Sequence, residues 1–416
     1  MYLTIQRKPF IAALRRISPA DFRWSHHTYV QLKATDHSLQ LTIIDETRVL
    51  HQEMPAEVVS HGSVIVVYHH FLQMLQKERQ ETFQFYSTTD GYRLANGTDE
   101  IPVQVTSPQE LSRVQHRWLI SQVEKLRWKN YQNLITETID CSFDTAIIRE
   151  ALKAIIHTVG VRWGDAALDT VLFHISPPCF AFVATDGFHL SLVRLKLPED
   201  YMGPREEPFK WRELKVLVPA TSIRTFLQVF PAEKKKGAAN RLQVQGTFQR
   251  MPETPSVVSG MIVFRQPPLA REMASALEDG TFPSYEPLLL TEVPDVRMQV
   301  ATKSLSEAIE KVKSPDGFMV TLHFEPTMRR LIVIETAQEQ TPSLKCEAVE
   351  AIVAEGQDVR IGMSWRYLQG ILASIPTPLV MIESIPPRHY LRITPSGLHN
   401  KGLVFSYAIA PAESFR

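Results

Sequence analysis

Glycine and cysteine are scarce in this chain, with 17 glycines and three cysteines among 416 residues. The glycines form no GxGxxG and no P-loop pattern, so no nucleotide cradle is legible. A GxSxG nucleophile elbow is missing as well. Cys141, Cys179 and Cys346 lie far apart with no CxxC or Cys/His spacing, which excludes a disulfide framework and a zinc site. Net charge is also lacking: 45 basic side chains face 45 acidic ones. No apolar run approaches the ~20 residues that span a bilayer, so no membrane partner is expected. The N-terminus opens in strand-like alternation without a signal-peptide core, and a cytoplasmic protein is expected.

Enzyme chemistry finds little purchase. His26-His27 and His69-His70 could be read as metal ligands, and Asp165, Asp169 and Asp186 as a phosphoesterase set. Adjacent histidines, however, point to opposite faces of a strand or lie about 100° apart on a helix, which is poor chelating geometry. No catalytic residue, metal ligand or cofactor is assigned. A metal-dependent nucleic-acid enzyme stays as the weakest of three functional readings.

What the chain does have is one pattern written three times. A short alternating strand runs into an amphipathic helix at Tyr2–Lys8 and Pro9–Ser18, at Thr138–Phe143 and Asp144–Thr158, and at Val296–Thr302 and Lys303–Lys313. Further along each unit a second strand feeds a second helix: Ser63–Val67 into Tyr68–Gln80, Leu214–Val218 into Pro219–Phe230, and Asp358–Gly362 into Met363–Ser374. Phe10, Leu14 and Ile17 share one helical face, as do Ile148, Leu152 and Ile155, and Leu305, Ile309 and Val312. Leu39–Asp45, Ser191–Leu197 and Leu331–Ala337 alternate and are rich in β-branched residues, so they read as strands. The unit is too long for a solenoid. Three tandem α+β domains are expected, each with two helices on an antiparallel sheet. Their expected bounds are 1–111, 137–294 and 295–416, with a linker at 112–136.

The balanced charge is unevenly spread. The six helices with their trailing turns sum to +10, leaving −10 for the rest. Basic helices facing one way would make a positive surface for phosphate. Lys and Arg are also good helix formers, and that plainer reading stands beside it.

Two stretches of the middle unit make the pattern recognisable: Val183–Leu190 reads VATDGFHL and Asp279–Tyr285 reads DGTFPSY. Together with the opening MYLTIQRKPFIAALRRIS and the terminal Tyr407-Ala408-Ile409-Ala410-Pro411, they resemble the bacterial DNA sliding clamp, the DNA polymerase III β subunit family. The likeness covers essentially the whole chain. It implies three clamp domains per chain and a ring of two chains joined head to tail around double-stranded DNA. It implies a non-enzymatic processivity factor, whose partners are DNA polymerase and clamp-loader subunits bound through short linear peptides. The alternative within the same fold is a clamp-like binding protein that is not loaded at replication forks.

The resemblance also nominates residues. Phosphate contacts along the lining would come from among Lys8, Arg15, Arg16, Lys77, Arg79, Arg149, Lys153, Arg224, Lys234, Lys235, Lys236, Lys311, Lys313 and Arg366. Contacts of this kind position without reading sequence. A partner-peptide pocket would use Leu168, Thr185, Gly187, Phe188, His189, Leu190, Pro283, Leu288, Ile393, Ala408 and Ala410. Its apolar floor is expected from Leu168, Leu190, Leu288 and Ile393. Where the family usually shows His-Arg this chain has Phe188-His189, and Glu286-Pro287 replace basic residues. Glu286 is therefore expected to disfavour acidic flanks in a partner. The linker is longer than the family's, aromatic and basic. Pro-rich sequence at 198–212 and 249–277 is expected to form ordered excursions and no additional core strands.

Overall fold

A computed structural model of the chain describes residues 1–17, 28–44, 48–78, 80–95, 100–106, 134–160, 167–203, 205–207, 210–211, 213–231, 240–252, 254–289, 293–314, 317–336, 345–386, 390–397 and 402–411. Among them are six α-helices: α1 (Arg7–Ile17), α2 (Tyr68–Lys77), α3 (Thr145–Ile155), α4 (Ala220–Val229), α5 (Thr302–Val312) and α6 (Trp365–Ser374). Each fills a helical slot of the threefold pattern. All strand pairings recorded between neighbours are antiparallel, as in Tyr2–Gln6 with Thr82–Thr88 and Ile135–Asp144 with Arg241–Arg250. The α+β class read from the alternation is the class observed.

The helices form where the apolar spacing places a stripe on one face. In α1 that stripe is Phe10, Ile11, Ala13, Leu14 and Ile17, all buried. In α5 it is Leu305, Ala308, Ile309 and Val312. Burying a side chain of this size is worth about 1.5–3 kcal/mol, which outweighs the few tenths that helix propensity contributes per residue.

By compactness the chain divides into two units. One comprises residues 1–149, 198–212 and 218–280, and the other 150–197, 213–217 and 281–416. The division runs through the middle repeat. Each unit therefore contains a junction between one repeat and the next, and the two junctions are built alike.

In the first unit, a nine-stranded sheet is continuous because Arg48–Pro55 pairs with Arg271–Ala276, in the register Leu50 with Met273. Helix α1 packs on α4 beneath it. Arg48 crosses from strand to helix, donating to Thr225 Oγ1 at 2.6 Å and to the Thr221 carbonyl at 3.1 Å. In the second unit, His189–Lys196 pairs with Val404–Ile409, in the register Leu190 with Ala408, inside a twelve-stranded sheet. There the 3₁₀ turn Ile156–Thr158 packs on α6. Both junctions join the strand that precedes a repeat's second half to the last strand of the next repeat.

One sequence expectation is overturned. Residues 249–277 are not an excursion from the core: Val257–Gln266 and Arg271–Ala276 are central strands of the nine-stranded sheet. The prolines misled because they occupy connections. Pro252 and Pro255 lie in the turn after Arg250, and Pro267 and Pro268 form the 3₁₀ turn Pro267–Leu269. Proline is excluded from a central strand but welcome at such corners. The 198–212 stretch does leave the sheet. Met202 makes an isolated bridge to Asp140, where the backbone of Glu57–Ser60 pairs with Tyr2–Gln6 in the first repeat. The linker expectation falls mostly on residues 107–133, outside the described residues.

Candidate functional site

The peptide-pocket candidates lie in the second unit. The turn after Cys179–Thr185 is specified by its own side chains. Thr185 Oγ1 donates to the His189 carbonyl at 2.8 Å and accepts from Gly187 N at 3.1 Å. Asp186 Oδ1 accepts from Phe188 N and His189 N, each at 2.9 Å. The same oxygen lies 2.8 Å from His189 Nδ1. Burial alone would raise the Asp186 pKa, but the His189 hydrogen bonds outweigh it and hold the carboxyl below its ordinary value. Gly187 has φ +92°, a left-handed conformation that side-chain-bearing residues adopt at a cost. The TDG sequence is thus a turn whose every member has a task.

That turn is tied to the third repeat. Ala410 N donates to the Phe188 carbonyl at 2.8 Å. The His189 ring stacks on Tyr367 of α6, with centroids 4.1 Å apart and planes at 17°.

Beside the turn, Leu190 and Ala408 are buried in one apolar cluster with Leu172, Val183, Phe282 and Tyr285, and half-buried Leu288 packs against it. Of the expected floor, Leu190 and Leu288 thus come together, with Ala408. Leu168 is half-buried, and its carbonyl accepts from Gly160 N at 3.0 Å. Ile393 is fully buried and offers no surface to a partner in this conformation. Thr185 and His189 are buried, Gly187 and Pro283 exposed, and Phe188 and Ala410 half-buried.

Sequence reasoning missed Tyr285, Tyr367 and Tyr390. Tyr390 Oη donates to the Leu288 carbonyl at 3.1 Å. Tyr285 stood inside the FPSY stretch, next to the nominated Pro283. Tyr367 and Tyr390 carried no local signal, because their roles come from pairing across repeats.

Glu286 is not the free negative charge that its position implied. Lys215 Nζ donates to Glu286 Oε1 at 2.7 Å, and Tyr285 N donates to Oε2 at 3.0 Å. Partial burial would raise its pKa, but the bond from Lys215 prevails and holds the carboxyl at about 2. A carboxyl depressed on folding stabilises the protein above its unfolded pKa of roughly 4.3, and that contribution disappears as pH falls through the folded value. Lys215→Met is therefore expected to move acid unfolding to higher pH. Near-UV circular dichroism from about pH 5 to pH 2 would check this; superimposable curves would show that the pair contributes nothing.

The basic candidates separate into two groups. Lys8, Arg15, Lys77 and Lys153 are exposed, and Arg16 and Arg224 are half-buried. None of these six forms an ion pair among the described residues. The others are engaged. Arg149 donates to the carbonyls of Leu227 and Phe230, so it caps the C-terminus of α4. Its desolvation lowers its pKa. Nη1 of Arg149 is thus committed to the helix, which sets this residue apart from the six above. Lys311 pairs with Glu347 at 3.3 Å and Lys313 with Glu310 at 2.6 Å. Arg366 lies over the rings of Phe318 and Trp365, at 4.6 and 5.3 Å from their centroids. Arg79, Lys234, Lys235 and Lys236 lie outside the described residues.

His323, Glu325 and Asp358 are the one group of three among the described residues whose donor atoms come close enough to suggest a cation site. Glu325 lies 3.3 Å from Nδ1 and Asp358 2.9 Å from Nε2. The two carboxylates thus flank opposite ring nitrogens, and one ion could not engage both through the imidazole. His69 and His70 are exposed on α2, with His69 Nε2 2.8 Å from Gln73 Nε2. His26, His27 and Asp165 are outside the described residues.

Three strand-rich repeats, helices in matching slots and sheets continuous across repeat boundaries define the DNA-clamp fold. Among solved structures the chain is similar to the β subunit of DNA polymerase from Streptococcus pyogenes, with TM-score 0.76 and 18% identity over 99% of this chain and 100% of that one. It is similar to the DNA polymerase sliding clamp of Pseudomonas aeruginosa, with TM-score 0.76 and 16% identity over 99% of both chains. The Bacillus subtilis sliding clamp gives TM-score 0.74 and 16% identity, again over 99% of both. No family model and no curated protein matches the sequence. No helix among the described residues is long and apolar enough to cross a membrane.

Proposed function

We propose that this protein is a non-catalytic DNA sliding clamp, a cytoplasmic processivity factor that closes as a head-to-tail homodimer around duplex DNA. On this reading it tethers polymerase and clamp-loader subunits through short peptides seated against Leu190, Leu288 and Ala408. The three repeats serve as the three clamp domains.

The observation that carries the reading is the repeated junction. Two of three equivalent strand pairs are made within the chain. The third would join Cys346–Gly356 of the last repeat to Glu100–Val103 of the first. Residues 346–350 have a strand partner on one side, Arg330–Glu335, while Glu100–Val103 ends the five-stranded sheet. Two open edges of the right kind, at the two ends of a repeating series, call for a second copy. Beside the first edge, α5 and the strand enclose a groove of about 650 Å³ lined by Ser304, Ala308, Lys311, Glu347 and Val349.

The duplex would be held by the uncommitted cations of the first unit: Lys8, Arg15 and Arg16 on α1, Lys77 on α2 and Arg224 on α4. Such contacts are weak, independent of sequence and salt-sensitive.

Loaded onto nicked circular DNA, the protein should be retained, and it should be lost when the circle is linearised. Arg15→Glu combined with Arg16→Glu should lower retention severalfold at low salt while leaving the circular dichroism spectrum unchanged. Equal retention on circular and linear DNA would reject encirclement.

A further inference from the structure

We propose that His174 is a positioning residue for the partner-peptide pocket, which by bridging Tyr285 and Glu213 holds the turn carrying Leu288 against the apolar cluster. The inference rests on the peptide-binding reading above. His174 lies on the strand Thr170–Ser176 and is 9% exposed. Its Nδ1 contacts the Tyr285 hydroxyl, and its Nε2 lies 2.6 Å from Glu213 Oε1. Tyr285 begins the short 3₁₀ turn Glu286–Leu289, in which Leu288 N donates to the Tyr285 carbonyl at 3.0 Å. The position of Leu288 thus follows that of Tyr285.

The neutral imidazole serves both partners at once. A carboxylate can only accept, so Nε2 carries the proton toward Glu213, and Nδ1 is left to accept from the Tyr285 hydroxyl. Burial lowers the His174 pKa, Glu213 pulls it up and Lys215 pushes it down, with lowering the net result. Burial and the Glu286 carboxylate raise the Tyr285 pKa, which keeps its hydroxyl a donor. Glu213, Lys215 and Glu286 are the charged groups facing the imidazole, and Arg194 acts on Tyr285 from the neighbouring strand. Both ring nitrogens are engaged, so the imidazole ties the Tyr285 hydroxyl to Glu213, and removing the ring removes the anchor of the turn.

Two variants of the full chain separate this role from bulk packing. His174→Leu removes both bonds. His174→Gln restores a donor toward Glu213 and an acceptor toward Tyr285, without a titratable group. The probe is a fluorescein-labelled six-residue peptide with uncharged side chains ending in Leu-Phe, followed by anisotropy. His174→Leu should weaken binding about tenfold, the scale of a lost buried hydrogen bond, and His174→Gln should restore it. An unchanged affinity in His174→Leu, or a loss in His174→Gln as large as that in His174→Leu, would overturn the role. Should the wild type itself not bind, the peptide reading fails, and amide exchange at 284–289 decides the positioning role. Faster exchange in His174→Leu than in His174→Gln supports it; equal exchange overturns it.

Discussion

Arg250→Met is expected to destabilise the first unit by about 3–5 kcal/mol, the cost of leaving a buried ion without its partner. Arg250 is 1% exposed, and every branch of its guanidinium is used. Nε and Nη2 donate to Glu137 Oε1 at 2.9 and 2.6 Å. Nη1 donates to the carbonyls of Met251, Pro252 and Thr254 at 2.7, 3.0 and 3.0 Å. One side chain therefore fastens the first strand of the middle repeat to the Pro-rich turn between two core strands. Methionine fills much of the volume but takes the Arg250 bonds away from the Glu137 carboxylate, 6% exposed, and from three backbone carbonyls. Chemical denaturation followed by tryptophan fluorescence would measure the loss. Adding Glu137→Leu to Arg250→Met should recover part of it, because the uncompensated charge goes with the carboxylate. A midpoint equal to wild type in Arg250→Met would mean that the turn is held by other means.

The combination Ala348→Arg with Ile352→Asp should convert the proposed dimer to a monomer. Both residues are exposed on the strand Cys346–Gly356, Ile352 at 48%, so the fold of the single chain should tolerate the change. An interface must bury them, and an unpaired charge buried there costs several kcal/mol. At micromolar concentration that is enough to dissociate an interface of ordinary strength. Light scattering should give about 95 kDa for the wild type, twice the 47.4 kDa of one chain, and 47.4 kDa for the variant. A wild-type monomer would sink the ring. A dimeric variant would place the interface elsewhere.

Much of the site was within reach of the sequence for reasons that can be named. VATDGFHL announced a tight turn through Asp and Gly, and Gly187 occupies the left-handed conformation that such a turn demands. Leu190, Leu288 and Ala408 were chosen by position and do meet in one cluster. Charge was less transparent. Glu286 was legible as a negative residue, but its partner Lys215 lies 71 positions earlier, and nothing local connects the two. Arg149 looked like a helix-surface cation until its carbonyl acceptors on α4, about 80 residues on, were in view. Prolines at corners hid the strands Val257–Gln266 and Arg271–Ala276.

The division between the two levels has a physical basis. Periodicities of 3.6 and 2 residues arise from local backbone geometry, so the amino-acid order alone determined six helices in matching slots, the α+β class and the threefold repetition. Pairing between distant groups depends on how elements pack. Only the tertiary structure decided that Arg250 closes on Glu137, that Tyr367 stacks on His189, and that some cations are committed while others stay free. It also decided which strand edges remain open: a strand's alternation says which face is buried, but not whether another strand lies alongside it.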